Sequence, residues 1–222
     1  MTPIAYPSPN HGPRRGDALP DLVVLHYTAM DSAQAALDRL CDPRYEVSAH
    51  YLIGRQGQLW QLVDETRRAW HAGAGSWQGR GDVNSRSIGI ELDNTGHHPF
   101  PDPQMQVLER LLSEIRARWQ IPPQGVIGHS DMAPGRKIDP GPRFDWARLE
   151  HSGLVQAPRA TLPQAQARTD AFRQLAISAG YPAQAPDEAL LAAVRLRLRP
   201  GAAGPLNSAD IHSLCPPASF SS

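Results

Sequence analysis

Cysteine is scarce in this chain. Cys41 and Cys215 stand far apart and outside any C-x-x-C pattern, which excludes a disulfide framework and a four-cysteine zinc site. Free thiols in a reducing compartment are the expectation. The first 21 residues, MTPIAYPSPNHGPRRGDALPD, lack an apolar run, so neither a signal peptide nor a membrane span is read there. No cysteine precedes Cys41, so a bacterial lipoprotein anchor is not read either. These absences point to the cytoplasm, or to the periplasm if the true start lies elsewhere. Excess charge of one sign is also missing, with 22 Lys+Arg against 22 Asp+Glu. That balance argues against a general polyanion-binding surface, and so against nucleic acid as a partner. No internal repeat is visible, and no serine or cysteine sits in a nucleophile context. A monomer is expected.

Proline, by contrast, is abundant: 22 residues in 222, about twice the usual ~5%. Loops and linkers should be extensive, while the length allows one sizeable core and a small second domain. The densest chemistry lies in GHSDMAPGRKIDPGPRFDW, residues 128–146. Pro134, Pro140 and Pro142 each interrupt a helical ladder, so the stretch reads as a shaped loop leaving the strand that ends at Val126-Ile127. His129 offers an imidazole nitrogen and Asp139 a carboxylate, both suited to zinc. Lys137 lies two residues before Asp139, so in extended backbone the two face one side. A catalytic zinc takes three protein ligands and leaves one position open. His26, at the end of the apolar run Leu22-Val23-Val24-Leu25, is the best third candidate.

Around these residues the pattern is one of strands alternating with helices. Strand 22–28 precedes a helix from Ser32 to Leu40, capped by Asp31 or Ser32. Strands 47–53 and 58–63 flank Gly54-Arg55-Gln56-Gly57 and read as a hairpin. Ser87 to Leu92 alternates, with Ile88, Ile90 and Leu92 on one face and Ser87, Gly89 and Glu91 on the other. Glu91 is thus a carboxylate inside an apolar strand, which is costly unless paired or bound to metal. An open sheet face would serve equally well. Leu108, Leu111, Leu112, Ile115 and Trp119 fall at helical spacing over 103–119. Strand 125–128 delivers His129, and a short closing helix follows at 144–150, with Asp145 as its starting charge. His11, His97 and His98 read as solvated.

LHYTAM, SAHYLIGRQGQLWQLV, AWHAGAGSW, NSRSIGIELDN and GHSDMAPGRKIDPGP, in that order, resemble the zinc N-acetylmuramoyl-L-alanine amidases of the amidase_2, peptidoglycan-recognition-protein-like family. The resemblance covers residues 1–155. It implies an α/β fold, a mixed β-sheet flanked by helices on both sides, with a zinc in a groove on one face. It implies His26, His129 and Asp139 as zinc ligands, Glu91 as the acid–base and Lys137 as the oxyanion stabiliser. The substrate implied is peptidoglycan or a muropeptide, cut between the lactyl group of N-acetylmuramic acid and L-alanine. His71, Trp77 and Asn94 would be substrate contacts. His50 is read either as a sheet histidine bonded to backbone or as a group supporting the metal ligands. Asp139 departs from the phage lysozymes, which carry cysteine there, and agrees with the bacterial recycling amidases.

After His151 composition shifts to Pro, Ala and Gln, so 156–166 reads as a linker. Residues 167–222 carry three helical patterns and resemble a small three-helix peptidoglycan-binding domain. Arg195, Arg197 and Arg199 are expected on a solvated helix face. Two rivals to the amidase remain: a recognition protein that binds muropeptide without cutting it, and a zinc hydrolase acting on another amide.

Overall fold

The computed structural model describes residues 1–160 and 171–215. Most of the expected linker, and the tail after Cys215, lie outside the described residues. The organising strand is β3 (Leu22–Tyr27), whose first five residues are all buried. A continuous Leu-Val-Val-Leu run suits a strand covered on both faces. It pairs in parallel with β7 (Ser87–Leu92) on one side and β8 (Val126–Gly128) on the other. Beyond β7 come β4 (Tyr51–Ile53), β5 (Leu59–Gln61) and β1 (Ile4–Ala5), in the six-stranded order β1-β5-β4-β7-β3-β8. The β4–β5 pair is antiparallel, which makes the sheet mixed. The hairpin expected at Gly54–Gly57 joins it, with Gly54 N–H donating to Gln58 O.

Alternation along the strands sorts the two faces. Val23, Leu25, Ile88, Ile90 and Leu92 pack under α3 (Asp102–Trp119), which buries Leu108, Leu111, Leu112 and Ile115 at three- and four-residue spacing. The short α5 (Trp146–His151) joins that layer. On the opposite face, α1 (Ala33–Cys41) sets Leu37 and Leu40 against Leu52 of β4. Ser32 caps this helix, its side chain accepting from Ala35 N–H. Leu22, Val24 and Ile127 on this face are covered by α6 (Phe172–Ser178), α7 (Asp187–Leu198) and α8 (Ser208–Leu214). Burying each such side chain contributes about 1.5–3 kcal/mol relative to exposure. The C-terminal helices therefore share one apolar cluster with the sheet. No helix among the described residues is long and apolar enough to cross a membrane.

Three expectations fail here. His129 does not lead into a loop but opens a one-turn helix, α4 (His129–Met132). The prolines begin only at Pro134, and the Asp131 carboxylate accepts from Gly128 N–H at 2.7 Å, which caps the turn. The expected strand 47–53 forms only at its last three residues, because Ser48 N–H turns aside to Trp70 O. Arg195, Arg197 and Arg199 do not form a solvated helix face. Arg195 pairs with the fully buried Asp210 at 2.7 Å, Arg199 pairs with the same carboxylate, and Arg197 lies 3.3 Å from the Trp146 ring centre. The N-terminal arm is extended and tied down. It supplies edge strand β1 and then β2 (His11–Pro13), antiparallel to β6 (Arg67–Ala69).

Candidate metal centre

His26 is the penultimate residue of β3 and stands in register with Glu91 on β7. His129 follows β8 directly. The carboxyl ends of parallel strands are where an open α/β sheet leaves a crevice. Asp139 comes back from the turn after α4, held by Ser130 N–H donating to its carbonyl at 2.9 Å. His26 Nδ1 and His129 Nδ1 stand 2.9 Å apart, and Asp139 Oδ2 lies 2.9 and 3.0 Å from them. All three side chains are buried.

The outer nitrogens decide what the inner ones offer. His129 Nε2 lies 2.9 Å from the carbonyl of Ala72. A carbonyl only accepts, so this nitrogen carries the proton and Nδ1 turns a lone pair inward. Burial, then the neighbouring His129 ring, pushes the pKa of His26 down to about 4, so its ring is neutral near pH 7. Its Nε2 meets Nδ1 of His71 at 3.0 Å. Three electron-rich atoms thus face one point, an arrangement that repels itself without a cation at its centre. In tetrahedral coordination with bonds of ~2.05 Å, ligand atoms stand roughly 3.3 Å apart. The observed spacing needs only a slight opening to meet that. The residues fit a divalent ion with two nitrogen ligands and one oxygen.

Glu91 lies beside this triad. Its Oε2 is shielded from water and has no hydrogen-bond partner among the described residues. Burial, then the nearby Asp139 charge, pushes its carboxyl up to about 8, against the opposing pull of Lys137. A groove of about 530 Å³ opens over these groups. Ala36, Arg39 and Leu40 of α1 form one wall, and Gly135 to Ile138 the other. Lys137 stands exposed in that second wall.

Residues 16–142 match the family model Amidase_2, described as N-acetylmuramoyl-L-alanine amidase, over more than half of the 222-residue chain. The chain belongs to the Amidase_2 family. It is 41% identical over 155 residues to the N-acetylmuramoyl-L-alanine amidase AmiD of Escherichia coli (strain K12), covering 63% of this chain and 55% of that protein. The match therefore spans about half of that relative's length. Against the 1,6-anhydro-N-acetylmuramyl-L-alanine amidase AmpD of Citrobacter freundii it is 37% identical over 160 residues, 64% of this chain and 86% of the relative. A solved structure of AmiD from E. coli, in complex with the substrate anhydro-N-acetylmuramic acid-L-Ala-D-gamma-Glu-L-Lys, superposes with a TM-score of 0.75 at 32% identity. That superposition covers 90% of this chain and 89% of the other.

Within this Amidase_2 chain, two of the expected substrate contacts, Trp77 and Asn94, take different places. Trp77 does not line the groove. It is 2% exposed and packs edge-on against the Tyr181 ring at 5.3 Å, because the C-terminal helices cover that loop. Asn94 is likewise buried and does not line the groove, its carboxamide oxygen accepting from Gly96 N–H at 2.7 Å to close a turn. His50 touches none of the three metal-facing side chains. Its Nδ1 accepts from Gly89 N–H at 2.9 Å and its Nε2 donates to Arg67 O at 3.1 Å, the backbone-bonded alternative. His71 does reach the groove, but both its ring nitrogens are engaged, one by His26 and the other by Ser87 Oγ at 3.1 Å. Sequence reading passed over Ser87 and Gly89. Their signal was small size on the same strand face as Glu91.

Proposed function

We propose that this chain is a zinc-dependent hydrolase that cuts the amide between N-acetylmuramic acid, or its 1,6-anhydro form, and L-alanine of a muropeptide. Its biological setting in this reading is cell-wall turnover and recycling. One observation carries the proposal: the Glu91 carboxyl, its Oε2 without a hydrogen-bond partner among the described residues, stands in strand register with a ligand of a three-atom metal site.

His26, His129 and Asp139 would hold the zinc. When bound, the ion supplies Lewis acidity, acidifying water and polarising the scissile carbonyl. Glu91 takes a proton from the attacking water and returns it to the nitrogen of L-alanine as the amide breaks. Its raised pKa suits both halves of that transfer. Lys137, on the groove wall, places a positive charge where the oxyanion develops. The α1 wall and the 135–138 wall hold the sugar and peptide on either side of the bond. Residues 1–155 form the catalytic unit in this reading, and the helices after residue 171 cover its sheet.

The rival binder without turnover is disfavoured by the same pairing, since a mere recognition groove has no use for a buried acid beside three metal-facing atoms. Metal analysis and digestion of both anhydro- and intact-muramyl peptides, with products weighed by mass spectrometry, test the proposal. One equivalent of zinc and release of a peptide beginning with L-alanine are expected. Metal-loaded protein that binds muropeptide and releases nothing would establish the rival instead.

A further inference from the structure

Both histidines of the metal centre are addressed by two adjacent loop residues. The His71 ring reaches His26 Nε2, and the carbonyl of the next residue, Ala72, takes the proton of His129 Nε2. The loop itself is pinned. Asn84 Oδ1 accepts from His71 N–H at 3.0 Å and from Ala72 N–H at 2.8 Å. Gly89 leaves the space that the His71 ring fills, since a Cβ there would come within 2.4 Å of the ring. No other residue type fits below this ring on β7.

The direction of each proton follows from Ser87. Its hydroxyl donates to the carbonyl of Val83 at 2.6 Å, a contact that uses its only hydrogen. The serine oxygen can then only accept from His71 Nε2, 3.1 Å away. A neutral imidazole has one donor and one acceptor, so His71 Nδ1 accepts from His26 Nε2–H. His26 Nδ1 is left with a bare lone pair, aimed at Asp139 and His129. Carbonyl, hydroxyl and two imidazoles thus form one directed chain that ends at the metal position.

We propose that the His71–Ala72 dipeptide, held by Ser87 and Asn84, is the positioning element that presents Nδ1 of both His26 and His129 to the metal. His71 acts through His26 and is not itself a ligand or a substrate contact. The proposal rests on the metal-centre reading above. Partners on the outer nitrogen of a ligating histidine generally set metal affinity by 10–100-fold.

The test measures zinc affinity of the full chain by competition with a chromophoric chelator. Wild type is compared with His71→Phe, His71→Asn and Ser87→Ala. His71→Phe keeps a ring and loses the acceptor, so affinity should fall roughly 10–100-fold. His71→Asn restores an acceptor oxygen near the Nδ1 position and should recover most of that loss, which a purely space-filling role would not allow. Ser87→Ala touches no ligand, yet should weaken zinc about tenfold by freeing the His71 tautomer. It also decides the matter if His71→Phe does not fold. In the metal-free wild type, long-range proton–nitrogen NMR should show the Nε2–H tautomer for both His26 and His71. Wild-type affinity in both His71→Phe and Ser87→Ala, or an Nδ1–H tautomer at His71, would overturn the positioning role while leaving the metal site intact. A wild type that binds no zinc would overturn both readings, so the two failures are distinguishable.

Discussion

Glu91 shows how one side chain carries opposite consequences for stability and chemistry. Burial first, and Asp139 second, push its carboxyl from 4.5 up to about 8. A carboxyl whose folded pKa lies above its unfolded value holds its proton longer in the native state. The native state then binds more protons than the unfolded one between those two values, so stability of the metal-free protein falls as pH rises from 4.5 to about 8. Glu91→Gln removes that penalty. Metal-free Glu91→Gln should melt higher than wild type at pH 8 and at the same temperature at pH 4, as read by calorimetry. Turnover should fall by roughly 10²–10⁴, with zinc stoichiometry unchanged. Equal turnover would remove Glu91 as the acid–base. At this scale the sequence was most legible. His26, His129 and Glu91 lie in or directly after apolar strands, where a polar residue stands out against its neighbours. Asp139 stood out by its spacing from His129 and Lys137 among prolines and glycines. His50 stayed open between two readings because a histidine beside a strand looks the same in sequence whether it faces a metal or a peptide group.

At the scale of elements, an apolar run carried β3, a cap carried α1 and periodicity carried β7 and α3, since each signal is closed within its own residues. The loop from Ala69 to Arg80 was not legible in that way. Its aromatic and glycine content suits a ligand groove, yet its Trp77 is buried under residues a hundred positions later in the chain. Gly180 is part of the reason, because a Cβ there would come within 2.8 Å of the Trp77 ring. Trp77→Ala separates the two roles. Truncating a buried tryptophan costs about 3–5 kcal/mol, so the melting temperature should drop sharply. The folded fraction should keep its KM for muropeptide, measured well below the melting point. A raised KM with an unchanged melting temperature would instead return Trp77 to the groove. The one-turn helix α4 escaped prediction for a related reason. Its cap depends on Asp131, whose other oxygen accepts from the Tyr181 hydroxyl at 3.3 Å, a partner that local sequence does not reveal.

The whole molecule joins these two observations. Tyr181 and α6–α8 cover one sheet face and at the same time support the cap of the helix that carries His129. Arg197 adds a link from α7 to Trp146 on α5, and burial of Arg195 with Asp210 holds α7 to α8. The C-terminal helices therefore act as a structural layer over the sheet that carries the metal-facing residues. A chain ending at Ala160 tests this. It uncovers Leu22, Val24, Trp77, Ile127 and Met132, all buried against that layer in the intact protein. At about 1.5–3 kcal/mol for each, the loss approaches the ~5–15 kcal/mol net stability of an ordinary domain. The truncated chain should be insoluble or melt far below the full-length protein, and excess zinc should not restore it, because the ion does not cover apolar surface. Any soluble fraction should bind zinc more weakly, since Asp131 has lost its tyrosine partner and α4 its firm start. Full-length melting behaviour and zinc affinity in the truncated chain would show instead that the sheet face closes by itself and that the helices are an appended module.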